Sequence, residues 1–139
     1  DYMIIDFPPG TSDIQLTTVQ KLNVKGALIV TTPQGISLAD ARKAASMFFN
    51  PDLKVPILGV IENMSWFSPA SHPDEKYYIF GRDGGQKLAD EFDTVLIGQI
   101  PLVMEVGEAA ENGLSIFSQR NRSVVTALEK IAEKIINMT

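Results

Sequence analysis

No cysteine occurs among the 139 residues. Disulfides, a thiolate-held zinc and a cysteine-ligated iron–sulfur cluster are therefore excluded within this chain. Histidine is almost as scarce: His72 stands alone, and with acids scattered along the chain it supplies no transition-metal ligand set. No apolar run reaches the roughly 18–20 residues of a membrane span, and no signal-peptide pattern is visible. Positive charge is short as well. Twelve Lys and Arg against seventeen Asp and Glu leave a net charge of −5, the reverse of the basic face that nucleic-acid binders carry. The expectation is a soluble, cytoplasmic domain with no nucleic-acid and no membrane partner. One more absence bears on chemistry. There is no G-x-x-x-x-G-K-S/T loop or lysine-bearing variant of it; Gly84-Gly85-Gln86-Lys87 reads as a helix start, because no strand precedes it and no Ser or Thr follows.

What is present is a series of short apolar runs with helical segments between them. Tyr2–Ile5, Ala27–Val30 and Ile57–Ile61 are nearly continuous, and Val95–Ile100 is a weaker fourth run interrupted by Gly98. Continuous rather than alternating apolar residues mark strands covered on both faces, as in a parallel sheet. Helices are expected at Asp13–Leu22, capped by Ser12 or Asp13, and at Ser37–Phe49, stopped by Asn50-Pro51. Three more follow at Gly84–Phe92, Glu105–Asn112 and Arg122–Met138. The last places Val124, Leu128, Ile131, Ile135 and Met138 on one face; its mixed Glu and Lys polar face reads as a helix covering the sheet rather than one lying on a membrane. Strand–helix alternation of this kind builds an α/β sandwich. The longest irregular stretch, Ser65–Tyr78, is rich in Pro and Ser, and a loop of that length is functional or mobile.

In open parallel sheets ligands sit beyond the carboxyl ends of the strands, and each run here ends in polar or conformationally restricted residues. The first ends in Asp6-Phe7-Pro8-Pro9-Gly10-Thr11 and the second in Thr31-Thr32-Pro33-Gln34. The third ends in Glu62-Asn63-Met64-Ser65 and the fourth in Gln99-Ile100-Pro101-Leu102. An aspartate straight after a buried strand has the placement of a Walker-B acid, suited to Mg²⁺ through water. A glycine four residues on can bring a backbone N–H close to a phosphate because it lacks a Cβ. The plainer alternative for both is a helix cap and a chain-reversing Pro-Pro turn.

The stretches DYMIIDFPPGTSDIQLT, GALIVTTPQGISLADARKAASMF, GVIENMSWF, IFGRDGGQKLADEF and IGQIPLVMEVGEAAENGLSIF cover the chain almost from end to end. In that order and spacing they resemble the C-terminal portion of the Mrp/ApbC-type iron–sulfur cluster carriers, a branch of the MinD/ParA-like deviant Walker-A P-loop NTPases. The resemblance implies a three-layer α/β sandwich with a mostly parallel sheet. Residues 1–139 would be the part of a P-loop NTPase domain from switch II onward, lacking the N-terminal P-loop unit. It implies ATP and Mg²⁺ as cofactors and ATP hydrolysis by a longer parent, with the piece alone inactive. It also implies a homodimer of the parent, with iron–sulfur apoproteins as partners. Asp6 would support Mg²⁺, Gly10 would approach the γ-phosphate, and Pro8, Pro9 and Thr11 would shape the hydrolysis-sensing switch. Asn63 matches the residue that reads the adenine edge, Pro101 would pack near the base, and Thr32 and Gln34 would line the cleft.

The sequence departs from that family at one functional point. Related carriers hold a 4Fe–4S cluster through a C-x-x-C pair soon after the Asn-Met-Ser motif. Here the segment reads Asn63-Met-Ser-Trp-Phe-Ser-Pro-Ala-Ser-His72. Ser68 and Ser71 keep the spacing but are poor iron ligands beside thiolates. Two other readings therefore stay open: a MinD/ParA-like positioning ATPase, and a nucleotide-sensing scaffold without a cluster. In this fold the P-loop strand neighbours the switch-II strand, so Tyr2–Ile5 without it is expected to present an apolar edge prone to self-association.

Overall fold

The structure is a computed structural model and describes residues 1–8, 13–53, 55–69 and 71–139. Three of the four apolar runs are strands: β1 (Ala27–Thr31), β2 (Ile57–Glu62) and β3 (Leu96–Gln99). They form one parallel sheet in the order β1-β2-β3. Side chains alternate across a strand, so neighbouring apolar residues enter different cores. Val60 joins Ile29, Leu38, Ala41, Ala45, Leu88 and Ala89 on one face. Its successor Ile61 joins Ile97 and Ile131 on the other.

That division explains the helices. Leu38, Ala41 and Ala45 belong to α2 (Gly35–Ala45), and Leu88 and Ala89 to α3 (Gly84–Glu91); both cover the first face. Ile131 belongs to α5 (Ser123–Met138), which covers the second. The helix α1 (Asp13–Lys21) precedes β1, and α4 (Met104–Glu111) follows β3. The result is the three-layer parallel α/β sandwich expected from the sequence. The expected Ser37–Phe49 helix begins two residues earlier and changes at Ser46 into a tighter 3₁₀ turn through Phe49, just before the Asn50-Pro51 stop. Gly98, the interruption in the fourth run, has a packing role: a Cβ there would strike Ile131, so its absence lets α5 lie directly on β3. On the same helix Lys134 Nζ donates a 2.6 Å hydrogen bond to the Ile97 carbonyl of β3.

Tyr2–Ile5 is a correction. The run has the composition of a strand but forms none, and Tyr2, Met3, Ile4 and Ile5 are 58%, 83%, 74% and 40% exposed. A strand is held by the chain it bonds to, and among the described residues nothing pairs with this one. Phe7 instead packs on the cluster of Val19, Ala27 and Val55, beside the amino end of β1.

Candidate functional site: the rim at the strand carboxyl ends

The carboxyl ends of the three strands are wired together by backbone hydrogen bonds. Asn63 N–H donates to the Thr31 carbonyl at 2.7 Å, joining the ends of β2 and β1. Ile100 N–H donates to the Glu62 carbonyl at 2.8 Å and Ser65 N–H to the Ile100 carbonyl at 3.0 Å, joining β2 to the segment that carries Pro101. The Ser65 hydroxyl, fully buried, donates to the same Glu62 carbonyl. Thr32, Asn63 and Pro101 thus stand on one rim, with Pro101 buried and the other two half-buried.

At Asn63 the side-chain oxygen accepts a 2.9 Å bond from Met64 N–H. Met64 follows in the left-handed region at φ 55°, a conformation rare for a residue with a long side chain. The local bond uses one lone pair of the Asn63 oxygen. Among the described residues its Nδ2 donates to nothing, so both amide protons and a second lone pair remain for a ligand. Thr32 is tied down: its hydroxyl bonds Ser37 Oγ at 2.8 Å and Gln34 Oε1 at 3.3 Å, which fixes the turn between β1 and α2.

A feature that sequence reasoning passed over lies beneath the rim. Glu62, the last residue of β2, is 1% exposed. Its Oε2 accepts from Gly85 N–H at 2.6 Å and its Oε1 from Gln99 Nε2 at 2.8 Å. A Cβ on Gly85 would lie 2.8 Å from Glu62 Cβ and 3.1 Å from its Oε2; the glycine lets the start of α3 close over the carboxylate. The signal was present in the sequence as an acid ending an apolar run, with a Gly-Gly pair at the next helix start.

The segment around Asp6 and Pro8 stands apart. Asp6 and Pro8 are exposed, and Gln15 Nε2 donates to the Pro8 carbonyl at 2.7 Å. No hydrogen bond among the described residues joins Asp6 or Pro8 to Thr32, Asn63 or Pro101. Pro9, Gly10 and Thr11 lie outside the described residues. An exposed carboxylate suits Mg²⁺, which keeps several waters and takes one or two protein oxygens. A 4Fe–4S cluster does not fit. Ser68 is half-buried and Ser71 and His72 are exposed, the chain has no cysteine, and no group of three ligating side chains occurs among the described residues.

The loop after the rim is more ordered than its composition suggested. Phe67 bridges to Tyr77 and to Leu102, pinning the base of the loop to the segment after Pro101. Lys76 Nζ lies 3.9 Å over the Trp66 ring and the Arg82 guanidinium 3.9 Å over Tyr78, contacts in which a cation meets the negative face of a ring. The Tyr77 phenol, hydrogen-bonded to Glu75 at 2.6 Å, is held above its ordinary pKa by that bond.

A parallel sheet with helices on both faces and a polar rim at the strand carboxyl ends is the architecture of the nucleotide-binding α/β proteins. The solved nucleotide-binding protein of Archaeoglobus fulgidus, in complex with ADP, has this fold with a TM-score of 0.62 and 34% identity, over 76% of this chain and 42% of its own. More narrowly, residues 1–136 match the ParA family model described as NUBPL iron-transfer P-loop NTPase, and the chain belongs to that family. An iron-sulfur cluster carrier protein of Synechocystis is 44% identical over 97% of this chain, and the mouse iron-sulfur cluster transfer protein NUBPL is 41% identical over 98%. The chain spans 38% and 42% of the length of those two relatives. Among the described residues no helix is long and apolar enough to cross a membrane.

Proposed function

We propose that this chain is the C-terminal portion, from switch II onward, of a cytoplasmic ATP-binding and ATP-hydrolysing carrier or assembly factor for iron–sulfur clusters. The observation that carries the reading is the Asn63 amide, anchored through Thr31 and Met64 yet with Nδ2 unpaired among the described residues, beside the buried Pro101. An amide with one donor and one acceptor face open matches N7 and the N6 amine of adenine. The ADP in the related nucleotide-binding protein supports the reading. Asp6 would hold Mg²⁺ through water; the ion would neutralise charge on the β- and γ-phosphates. Gly10 would approach the γ-phosphate, with Pro8, Pro9 and Thr11 forming the switch around it and Thr32 lining the cleft. Hydrolysis needs a phosphate-cradling loop that residues 1–139 do not contain, so the chain alone is inactive in this reading. Cluster cargo, iron–sulfur apoproteins and a homodimer belong to the full-length protein.

Asn63→Ala in the full-length gene product tests the base site. ATP affinity falls about tenfold, as expected when hydrogen bonds to a buried ligand are lost; unchanged affinity by calorimetry overturns it. The missing cysteines favour one second reading, a nucleotide-sensing scaffold without a cluster. Reconstitution with iron and sulfide separates the two: normal ATP hydrolysis without cluster uptake or transfer selects the scaffold.

A further inference from the structure

We infer that Glu62 is a positioning residue for base recognition: its buried carboxylate holds the two rim segments that carry Asn63 and Pro101 in register. The inference rests on the base-site reading above. Three elements meet at this one side chain. It ends β2, accepts from the first turn of α3 through Gly85 N–H, and accepts from the end of β3 through Gln99 Nε2. Asn63 is its immediate neighbour in the chain, and Pro101 stands two residues beyond Gln99. Its backbone carbonyl takes part as well, accepting from both Ile100 N–H and the Ser65 hydroxyl. Moving Glu62 therefore moves both flanks of the proposed base pocket together.

Stability alone is a weak reason for such a group. A carboxylate taken out of water carries a large desolvation cost, and a packed apolar residue of similar size is often equally stabilising. What an apolar residue cannot supply is direction. Two donors from different elements converge on two oxygens of one rigid group, which fixes the separation of the strand ends as well as their contact.

The donor–acceptor pattern gives a specific test. Glu62→Gln alone is tolerated, because the Gln99 amide can turn over so that its oxygen accepts from the new donor while Gly85 N–H keeps an acceptor. Gln99→Glu has no such escape and creates two carboxylates in contact. The double swap Glu62→Gln with Gln99→Glu restores both bonds, since the new amide accepts from Gly85 and donates to the new carboxylate, with net charge unchanged. ATP and GTP affinities of the full-length gene product are measured by calorimetry, with thermal midpoints alongside. Gln99→Glu weakens ATP binding about tenfold, the loss expected for hydrogen bonds to a charged group, and weakens GTP binding less, so base discrimination falls. The double swap recovers most of that discrimination. A folded Gln99→Glu protein with wild-type discrimination and only a lower midpoint overturns the inference, as does a folded double swap that recovers nothing. If Gln99→Glu does not fold, Gln99→Met leaves the Gly85 bond in place and removes only the link to β3; unchanged discrimination there also overturns it. Asn63→Ala separates the two claims. If it changes neither affinity, the base-site reading falls and takes this inference with it; if it weakens ATP while Gln99→Glu and Gln99→Met leave discrimination unchanged, only the role of Glu62 falls.

Discussion

Replacing glycine by alanine at two helical positions should change stability in opposite directions. Gly107 sits inside α4 with no atom within 4 Å of the place a Cβ would occupy, and its φ is not positive. Alanine there keeps the conformation and reduces the freedom of the unfolded chain, so stability rises by about 0.5–1 kcal/mol. Gly84 is the first residue of α3, where the gain from helix propensity is smaller. A Cβ on it would lie 2.7 Å from the Pro33 carbonyl oxygen and 2.8 Å from Pro33 Cα, both backbone atoms of the turn after β1. A flexible side-chain tip could yield to such a contact, but the Pro33 backbone yields only if the β1–α2 turn moves. Overpacking of that kind costs about 1–3 kcal/mol, which outweighs the propensity gain. The predicted gap between the two variants is therefore about 1.5–4 kcal/mol. Urea unfolding followed by far-UV circular dichroism measures it, with the slope held common so that midpoints report stability. Two variants shifting the midpoint in the same direction would refute the close-approach argument, as would a neutral Gly84→Ala.

Leu88 is fully buried between α2 and the sheet, and Leu88→Ala should cost about 2–5 kcal/mol in the same assay. Arg42 and Glu91 tie α2 to α3 by paired bonds of 2.6 and 2.7 Å, and the hydrogen bond to Arg42 holds the Glu91 carboxyl below its ordinary pKa. A lowered folded-state pKa adds stability above the unfolded value that is lost as pH falls through the folded one. The midpoint deficit of Arg42→Gln should thus be full at neutral pH and shrink in acid as pH falls through the lowered Glu91 value; a deficit that persists once that carboxyl is protonated refutes the pairing. Exposed Tyr2, Met3 and Ile4 should make the chain self-associate at tens of micromolar by light scattering. Ile4→Lys should reduce that association, and a monomeric wild-type chain removes the premise.

The strands of the sheet were legible because their apolar residues serve two faces at once, which composition alone reveals. Ala27–Thr31, Ile57–Glu62 and Leu96–Gln99 fall within a residue or so of the expected runs. Tyr2–Ile5 has the same composition and forms no strand, since pairing depends on a neighbour that local pattern does not encode. At the rim, Thr32, Asn63 and Pro101 were readable as strand-end residues, and the structure gathers them. Glu62 was not. Its significance lies in two partners 23 and 37 residues away, and separations of that kind leave no periodic trace. The Gly84-Gly85 pair was correctly a helix start, but the reason it had to be glycine, the proximity of Pro33 and Glu62, exists only in three dimensions.

The bond from Lys134 to the Ile97 carbonyl gives the sheet a capped end and a receptive end. An incoming strand on the β3 side must first strip an ammonium from the acceptor it needs, and Lys at a sheet margin is a common barrier to such addition. On the β1 side the row ends in a strand that, among the described residues, pairs only with β2. Any extension of this sheet, by more of its own chain or by another molecule, is thereby given a single direction of growth. An assembly built by strand addition should stop at two sheets meeting β1 to β1, where a chain with both margins open could polymerise without limit.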